Sequence, residues 1–193
     1  DVDQVNEGIA LLEGLLTGPQ LRQEDAGRLH AHLGEALLGR EALKREDGPE
    51  DAEGIRRSIE HLDRAAHLLE PSSPLAPSVM ELLAAARLTV GEFDQAVEAL
   101  QRASAMGVRD AEMYLATAER LYEQWLEQGE GATGDVVGLF NVLQQLETFS
   151  LSDDQARRRC RLAGLLAMAV YLNTVDPDEG TPDDDASSAW LDR

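Results

Sequence analysis

The stretch GEFDQAVEALQRASAMG runs from Gly91 to Gly107. Phe93, Val97 and Leu100 recur at helical spacing, and Ala96, Ala99 and Ala103 fill the gaps on the same face. An apolar face built half from alanine lets a neighbouring helix come close. Replacing Ala96 or Ala103 by a large residue is expected to overpack that contact, at about 1–3 kcal/mol.

The same pattern returns elsewhere. Ser58, Ile59, Leu62 and Ala65 match Ala96, Val97, Leu100 and Ala103 at a shift of 96 − 58 = 38. Gly8, Ile9, Leu12 and Leu15 match at a further shift of 59 − 9 = 50. Gly138, Leu139 and Val142 follow at 138 − 96 = 42. A second, Leu/Ala-rich pattern lies between these copies: LHAHLGEALL at 29–38, MELLAAARL at 80–88 and MYLATAERL at 113–121. Two alternating helices therefore form the repeated unit. One such pair cannot bury its apolar face alone, so pairs stack on their neighbours.

Breakers divide the chain into eight expected helices: 2–16, 21–45, 51–69, 76–89, 92–106, 109–128, 135–148 and 152–172. They are separated by Gly18-Pro19, Asp47-Gly48-Pro49, Pro71-Ser72-Ser73-Pro74 and the glycine-rich run 129–134. Ser152 with Gln155 three residues on is a capping box at the start of the last helix. Residues 174–193 carry seven acids and one base, too little apolar surface to order a segment. The expected division is a helical-repeat domain over 1–173 and an acidic disordered tail over 174–193. Trp190 and Leu191 in that tail form a candidate docking motif.

Composition agrees with helices. Aromatic residues make up 4% of the 193, so the core rests on Leu, Ala and Val, and no strand pair is visible. The formal charge is −20. Such a surface opposes binding to a nucleic-acid polyanion or an anionic membrane. Its plain meaning is solubility. No run nears 18 apolar residues. The start lacks a basic segment followed by an apolar one, so no signal peptide is expected. Cys160 is the single cysteine, which excludes an internal disulfide and suits a cytoplasmic, reducing setting.

GEFDQAVEALQRA resembles the second helix of a tetratricopeptide (TPR) repeat, with Gly91 at the turn, Phe93 at the aromatic position, and Ala96, Leu100 and Ala103 following. LGEAL, with Leu33, Gly34 and Ala36, resembles part of a first helix. No proline follows the fifth helix, where Val108 or Arg109 stands, and the spacing from Gly34 to Ser58 is long. The resemblance implies an all-α, TPR-like α-solenoid of about eight antiparallel helices. HLDRAAHLLEPSSPLAPSVMELLAAAR at 61–87 is also similar to repeat arrays of actinobacterial proteins, which often precede a caspase-like CHAT peptidase domain. Lys44 is the one lysine against 16 Arg, a bias typical of GC-rich actinobacterial coding, so a bacterial source is expected.

No catalytic constellation is visible. His30 and His32 point to different sides of a helix, as do His61 and His67, and all four read as surface or groove polar groups. HExxH, CxxC and paired Cys/His spacings are absent, so no metal and no cofactor are expected. Cys160 reads as a buried or semi-buried structural thiol. GEGATG lacks the preceding strand and following Lys-Ser/Thr of a phosphate loop, and reads as a helix connection. Arg157, Arg158, Arg159 and Arg161 form the one basic cluster. It reads as a solvated face paired with acids such as Asp153 and Asp154, or as a dock for the acidic tail or an acidic partner.

The resemblance places partners on the concave face, lined by the first helix of each pair. Arg28, Ala31, Glu35, Glu81 and Ala85 are expected to be exposed there. Glu35 and Glu81 would repel a terminal carboxylate, so the expected ligand is a basic or apolar protein segment. The candidate partner-binding residues are thus Arg28, Glu35, Glu81, Arg157 and Arg161. The expected function is a non-catalytic protein-interaction or scaffold module. The alternatives are a sensor or regulatory region of a larger protein, such as a CHAT-type peptidase or a transcriptional regulator, and a small all-α enzyme whose site forms only on folding.

Overall fold

The structure is a computed structural model that describes residues 2–18, 21–45, 51–108, 110–128 and 133–174. Eight α-helices and no strand occur among them. They are α1 (Val2–Leu16), α2 (Gln23–Arg45), α3 (Ala52–Leu68), α4 (Ala76–Thr89), α5 (Phe93–Ala105), α6 (Ala111–Gln128), α7 (Thr133–Leu146) and α8 (Asp153–Thr174). Two differences from expectation stand out. Thr133 and Gly134, expected in a loop, form the first turn of α7, and α8 continues to Thr174. The expected tail from residue 175 onward, with Trp190 and Leu191, lies outside the described residues, as do Pro19, Asp47-Gly48-Pro49 and 129–132.

The chain forms two compact units, Asp1–Arg109 and Asp110–Arg193. In the first unit each helix packs on the next from α1 to α5, and α2 also touches α4. The α2–α3 crossing is antiparallel. Gly27 meets Leu68 and Leu69, Gly34 meets Ser58 and Leu62, and Glu41 meets Gly54, so numbers rise on one helix as they fall on the other. Gly34 is required at this crossing: a Cβ there would lie 2.6 Å from Leu62 Cγ. The Ser58 hydroxyl donates to the Gly34 carbonyl at 2.7 Å, using up a polar group where the two backbones approach most closely.

The repeated positions are the buried ones. Ser58, Ile59, Leu62 and Ala65 on α3 are buried, and so are Phe93, Ala96, Val97, Leu100 and Ala103 on α5. On α1 the match is partial. Ile9 is buried and Leu12 packs beside it on Leu33 and Leu37 of α2, whereas Leu15 is exposed.

Backbone caps set the ends of this unit's helices. Gly91 (φ 81°) and Gly107 (φ 92°) adopt the left-handed conformation after α4 and α5. After α4, the Gly91 and Glu92 amides donate to Leu88 and Arg87 carbonyls. After α5, the Gly107 and Val108 amides donate to Ser104 and Ala103. Both are Schellman caps, and they bracket the stretch 91–107. The second also explains the absent proline. Position 108 uses its N–H to close the cap, and proline has none.

In the second unit α6, α7 and α8 pack on one another. Tyr114, Leu115, Leu121, Leu139, Leu146, Leu162 and Leu166 are among its buried residues. Tyr114 meets Phe149 edge-on, with centroids 5.0 Å apart. Asp110 caps α6 through the Glu112 and Met113 amides. The capping box of α8 is present in both directions: Ser152 N–H donates to Gln155 Oε1 at 3.0 Å, and Gln155 N–H donates to Ser152 Oγ at 3.3 Å.

Candidate functional site

In the first unit, α2 divides into two arcs. Leu33, Leu37, Glu41, Gly34, Gly27 and Ala31 are buried, on an arc of about 160° at 100° per residue. Glu24, Arg28, His32, Glu35, Gly39, Ala42 and Leu43 are exposed, on an arc of about 100°. Arg28 and Glu35 therefore have the exposure expected of them. Ala31 does not: it is 5% exposed. Its direction lies next to Gly27 and Gly34, at the edge of an apolar arc widened because α2 has α1, α3 and α4 as neighbours.

The open arc is charged and partly self-paired. Arg28 binds Glu24 at 2.6 Å, one turn back. His32 Nδ1 lies 3.7 Å from Glu35. Both pairs are exposed, so each adds at most a fraction of a kcal/mol and leaves its carboxylate open to a competing cation. On α4 the accessible arc is smaller and more apolar. Ser78, Ala85 and Thr89 are exposed there, but Glu81, expected to be exposed like Ala85, is half-buried with Leu82 and Leu88, because it sits at the edge of that arc beside buried Ala84.

The first unit also holds three polar features that spacing along one helix did not reveal. Glu41 is 2% exposed, yet its carboxylate accepts from Arg40 at 2.8 Å and from Lys44 at 3.1 and 3.3 Å. Buried charge is tolerable when paired in this way. Gly54 makes room for it, since a Cβ there would sit 2.5 Å from the carboxyl carbon. Arg87 of α4 grips Asp63 of α3 with two bonds, 2.8 and 3.0 Å, and donates to the Gln95 carbonyl of α5. One guanidinium thus ties three helices.

The third feature is an imidazole pair. His30 Nδ1 and His61 Nδ1 are 2.9 Å apart, with ring planes inclined by 27° and centroids 5.1 Å apart, so the rings meet edge to edge. Both are partly buried, and both are held below the usual imidazole range. Burial is the main cause for each. His61 and then Arg64 add to it for His30. Arg64 and Arg57 add to it for His61, opposed by Glu13 and Glu60. Spacing along one helix pairs His30 with His32 and His61 with His67, whereas the contact runs between helices. The signal was Gly34 opposite Ser58: one turn away in antiparallel helices, 34 − 4 = 30 meets 58 + 3 = 61.

In the second unit the basic cluster separates. Arg158 reaches Glu119 with two bonds of 2.9 Å and Glu112 at 2.6 Å, contacts that raise its pKa, Glu119 foremost. Arg159 binds Glu147 and donates to the Leu143 carbonyl. These two fasten α8 to α6 and α7 instead of forming a solvated face. Arg157 pairs with Asp154 at 3.3 Å on the exposed side, and Arg161 is exposed there too. Cys160 is exposed, not buried, because Arg158, Arg159, Leu162 and Leu166 take the inward arc and Cys160 falls opposite. Among the described residues, no group of three or more His, Cys, Asp or Glu could hold a metal ion, and no helix is long and apolar enough to cross a membrane.

No family model matches the sequence, and no curated protein is significantly similar to it. A solved structure is similar: a Podosopora anserina kinesin light chain described as having nearly identical TPR-like repeats. The likeness covers 98% of this chain and 88% of that one, at a TM-score of 0.51 and 17% sequence identity. Identity that low speaks to architecture alone. With eight helices and no strand among the described residues, the chain is all-α and has a TPR-like helical-repeat fold.

Proposed function

We propose that this chain is a non-catalytic protein-interaction module, in which residues 1–173 act as the repeat domain and 174–193 as an acidic tail. The observation that carries the reading is the open arc of α2. Glu24, Arg28, His32 and Glu35 project from a helix whose other side is sealed by buried side chains. A rigid backbone offering an exposed polar arc suits a ligand that must be held without chemistry. Glu35, with Glu81 and the small residues of α4, favours a basic or apolar segment over an acidic one, as does the net charge of −20. The exposed pair Arg157 and Arg161 is the corresponding candidate for an acidic segment. The run 61–87 supports a finer reading, a regulatory region beside a CHAT-type peptidase.

The test is fluorescence anisotropy with labelled 12-residue peptides of matched length and opposite charge. Basic and apolar peptides should bind the full chain more tightly than acidic ones. Glu35→Lys should weaken the basic peptides about twofold to fivefold, the upper part of the range for one exposed ion pair. Preference for acidic C-terminal peptides, unchanged by Glu35→Lys, would reject this face.

A further inference from the structure

The imidazole pair goes beyond that reading, because its geometry is demanding. Two Nδ1 atoms 2.9 Å apart are at hydrogen-bond distance. One ring must carry a proton on Nδ1 and the other must present a lone pair. A neutral pair satisfies this. So does a singly protonated one, with the added proton on Nε2 of the donor ring. A second proton, taken from solvent, has to land on the accepting Nδ1. Both atoms would then be donors facing each other.

We propose that His30 and His61 form an acid-released latch between α2 and α3, closed while one ring can accept the other's Nδ1–H and opened when both rings are protonated. The charged surroundings oppose the second proton. Arg57 and Arg64 lie one turn to either side of His61 on α3, and both act on it. Glu60 of α3 and Glu13 of α1 act in the opposite sense, but Glu13 is itself bound to Arg57 at 2.9 Å. The positions one turn from His30 on α2 are Ala26, Gly27, Leu33 and Gly34, none of them charged. α4 brings Glu81 and Arg87 to this unit, and Arg87 is held on Asp63.

The direction of the pH effect follows. Both rings are held below the ordinary imidazole range, so the folded state takes up fewer protons than the unfolded chain as pH falls. The stability contributed by the latch is complete above the ordinary imidazole pKa of about 6.5 and is lost as pH drops below it.

Two measurements on the full chain test this. Nitrogen-15 NMR of the histidine rings at pH 7.5 should show one of the two in the Nδ1–H tautomer and the other in the Nε2–H form. Amide hydrogen exchange, corrected for intrinsic rates, should show protection in α2 and α3 falling about tenfold more between pH 7.5 and pH 5 in the unaltered chain than in His61→Gln. Glutamine can hydrogen-bond but does not titrate. Protection in α4 and α5 should follow one course in both proteins. Finding both rings as Nε2–H tautomers, or equal loss of protection in the two proteins, overturns the latch. If His61→Gln does not fold, the tautomer measurement on the unaltered chain decides.

Discussion

Gly34 in α2 and Gly164 in α8 are both mid-helix glycines, and they do opposite things. At Gly34 an added Cβ would meet Leu62 Cγ at 2.6 Å and the Ser58 carbonyl at 3.2 Å. At Gly164 an added Cβ meets nothing within 4 Å. The first glycine sets how near two helices come. The second leaves the solvent side of a helix bare. The attachment of the two helices differs accordingly. α2 and α3 touch along a seam of small residues. α8 is fastened by Leu162 and Leu166 together with the carboxylate contacts of Arg158 and Arg159. Where backbones can approach, packing holds the pair; where they cannot, long side chains span the gap.

The largest predicted effect strikes the seam. Gly34→Val should destabilise the first unit by about 3 kcal/mol, the upper end for overpacking, because fully buried Leu62 has nowhere to retreat. Urea unfolding read by hydrogen exchange in α2 and α3 would show it; a change under about 1 kcal/mol would mean the crossing is not tight. Gly91→Ala should cost about 1–2 kcal/mol, since φ of 81° places a Cβ in the left-handed region. Thermal unfolding can detect this, and an unchanged midpoint would deny the Schellman cap its role.

Ser58→Ala tests the same seam more gently. It removes the donor to Gly34 and should cost about 1 kcal/mol. Gly164→Ala should have the opposite sign, stabilising α8 by about 0.5–1 kcal/mol, because alanine orders the helix better and meets no obstacle. Loss of stability there would show that the α8 surface is covered. Arg158→Gln should be among the smallest changes, about 0.5–1 kcal/mol, and should shrink as salt is raised from 0.05 to about 0.5 M. Comparable stability curves for mutant and parent at low salt would remove the ionic fastening from the contrast.

Much of the architecture was legible because helical periodicity and breakers are local. The match of 58–65 to 96–103 marked residues that are buried in both helices. Ser152 and Gln155 announced a cap that forms as read. The repeat weakened at α1, where Leu15 fits the pattern yet is exposed, because periodicity names an apolar face but not whether a neighbour covers it. Ala31 failed for the converse reason. Its small side chain gives no hydrophobic signal strong enough to mark the edge of a buried arc.

The candidate site was less legible. Arg28 and Glu35 could be placed outward from the helical wheel of α2 alone. Glu41 could not be placed inward, since a lone carboxylate beside Arg40 reads as surface until Gly54 is seen to leave it room. The arginine cluster looked like one feature in sequence. Folding sends Arg158 to acids on α6 and Arg159 to Glu147, just past α7, and leaves Arg157 and Arg161 outside.

Local physics, carried in the chain itself, determined the helices, most of their ends and the alternation of two helix types, because hydrogen bonds four residues apart and a 3.6-residue period need no distant partner. Tertiary structure alone decided that His30 meets His61, that Glu41 is buried and that Cys160 faces solvent. Those outcomes depend on which residues two helices bring to one level of a crossing. That level was set by Gly34 and Ser58, 24 residues apart in the chain and joined by one hydrogen bond of 2.7 Å.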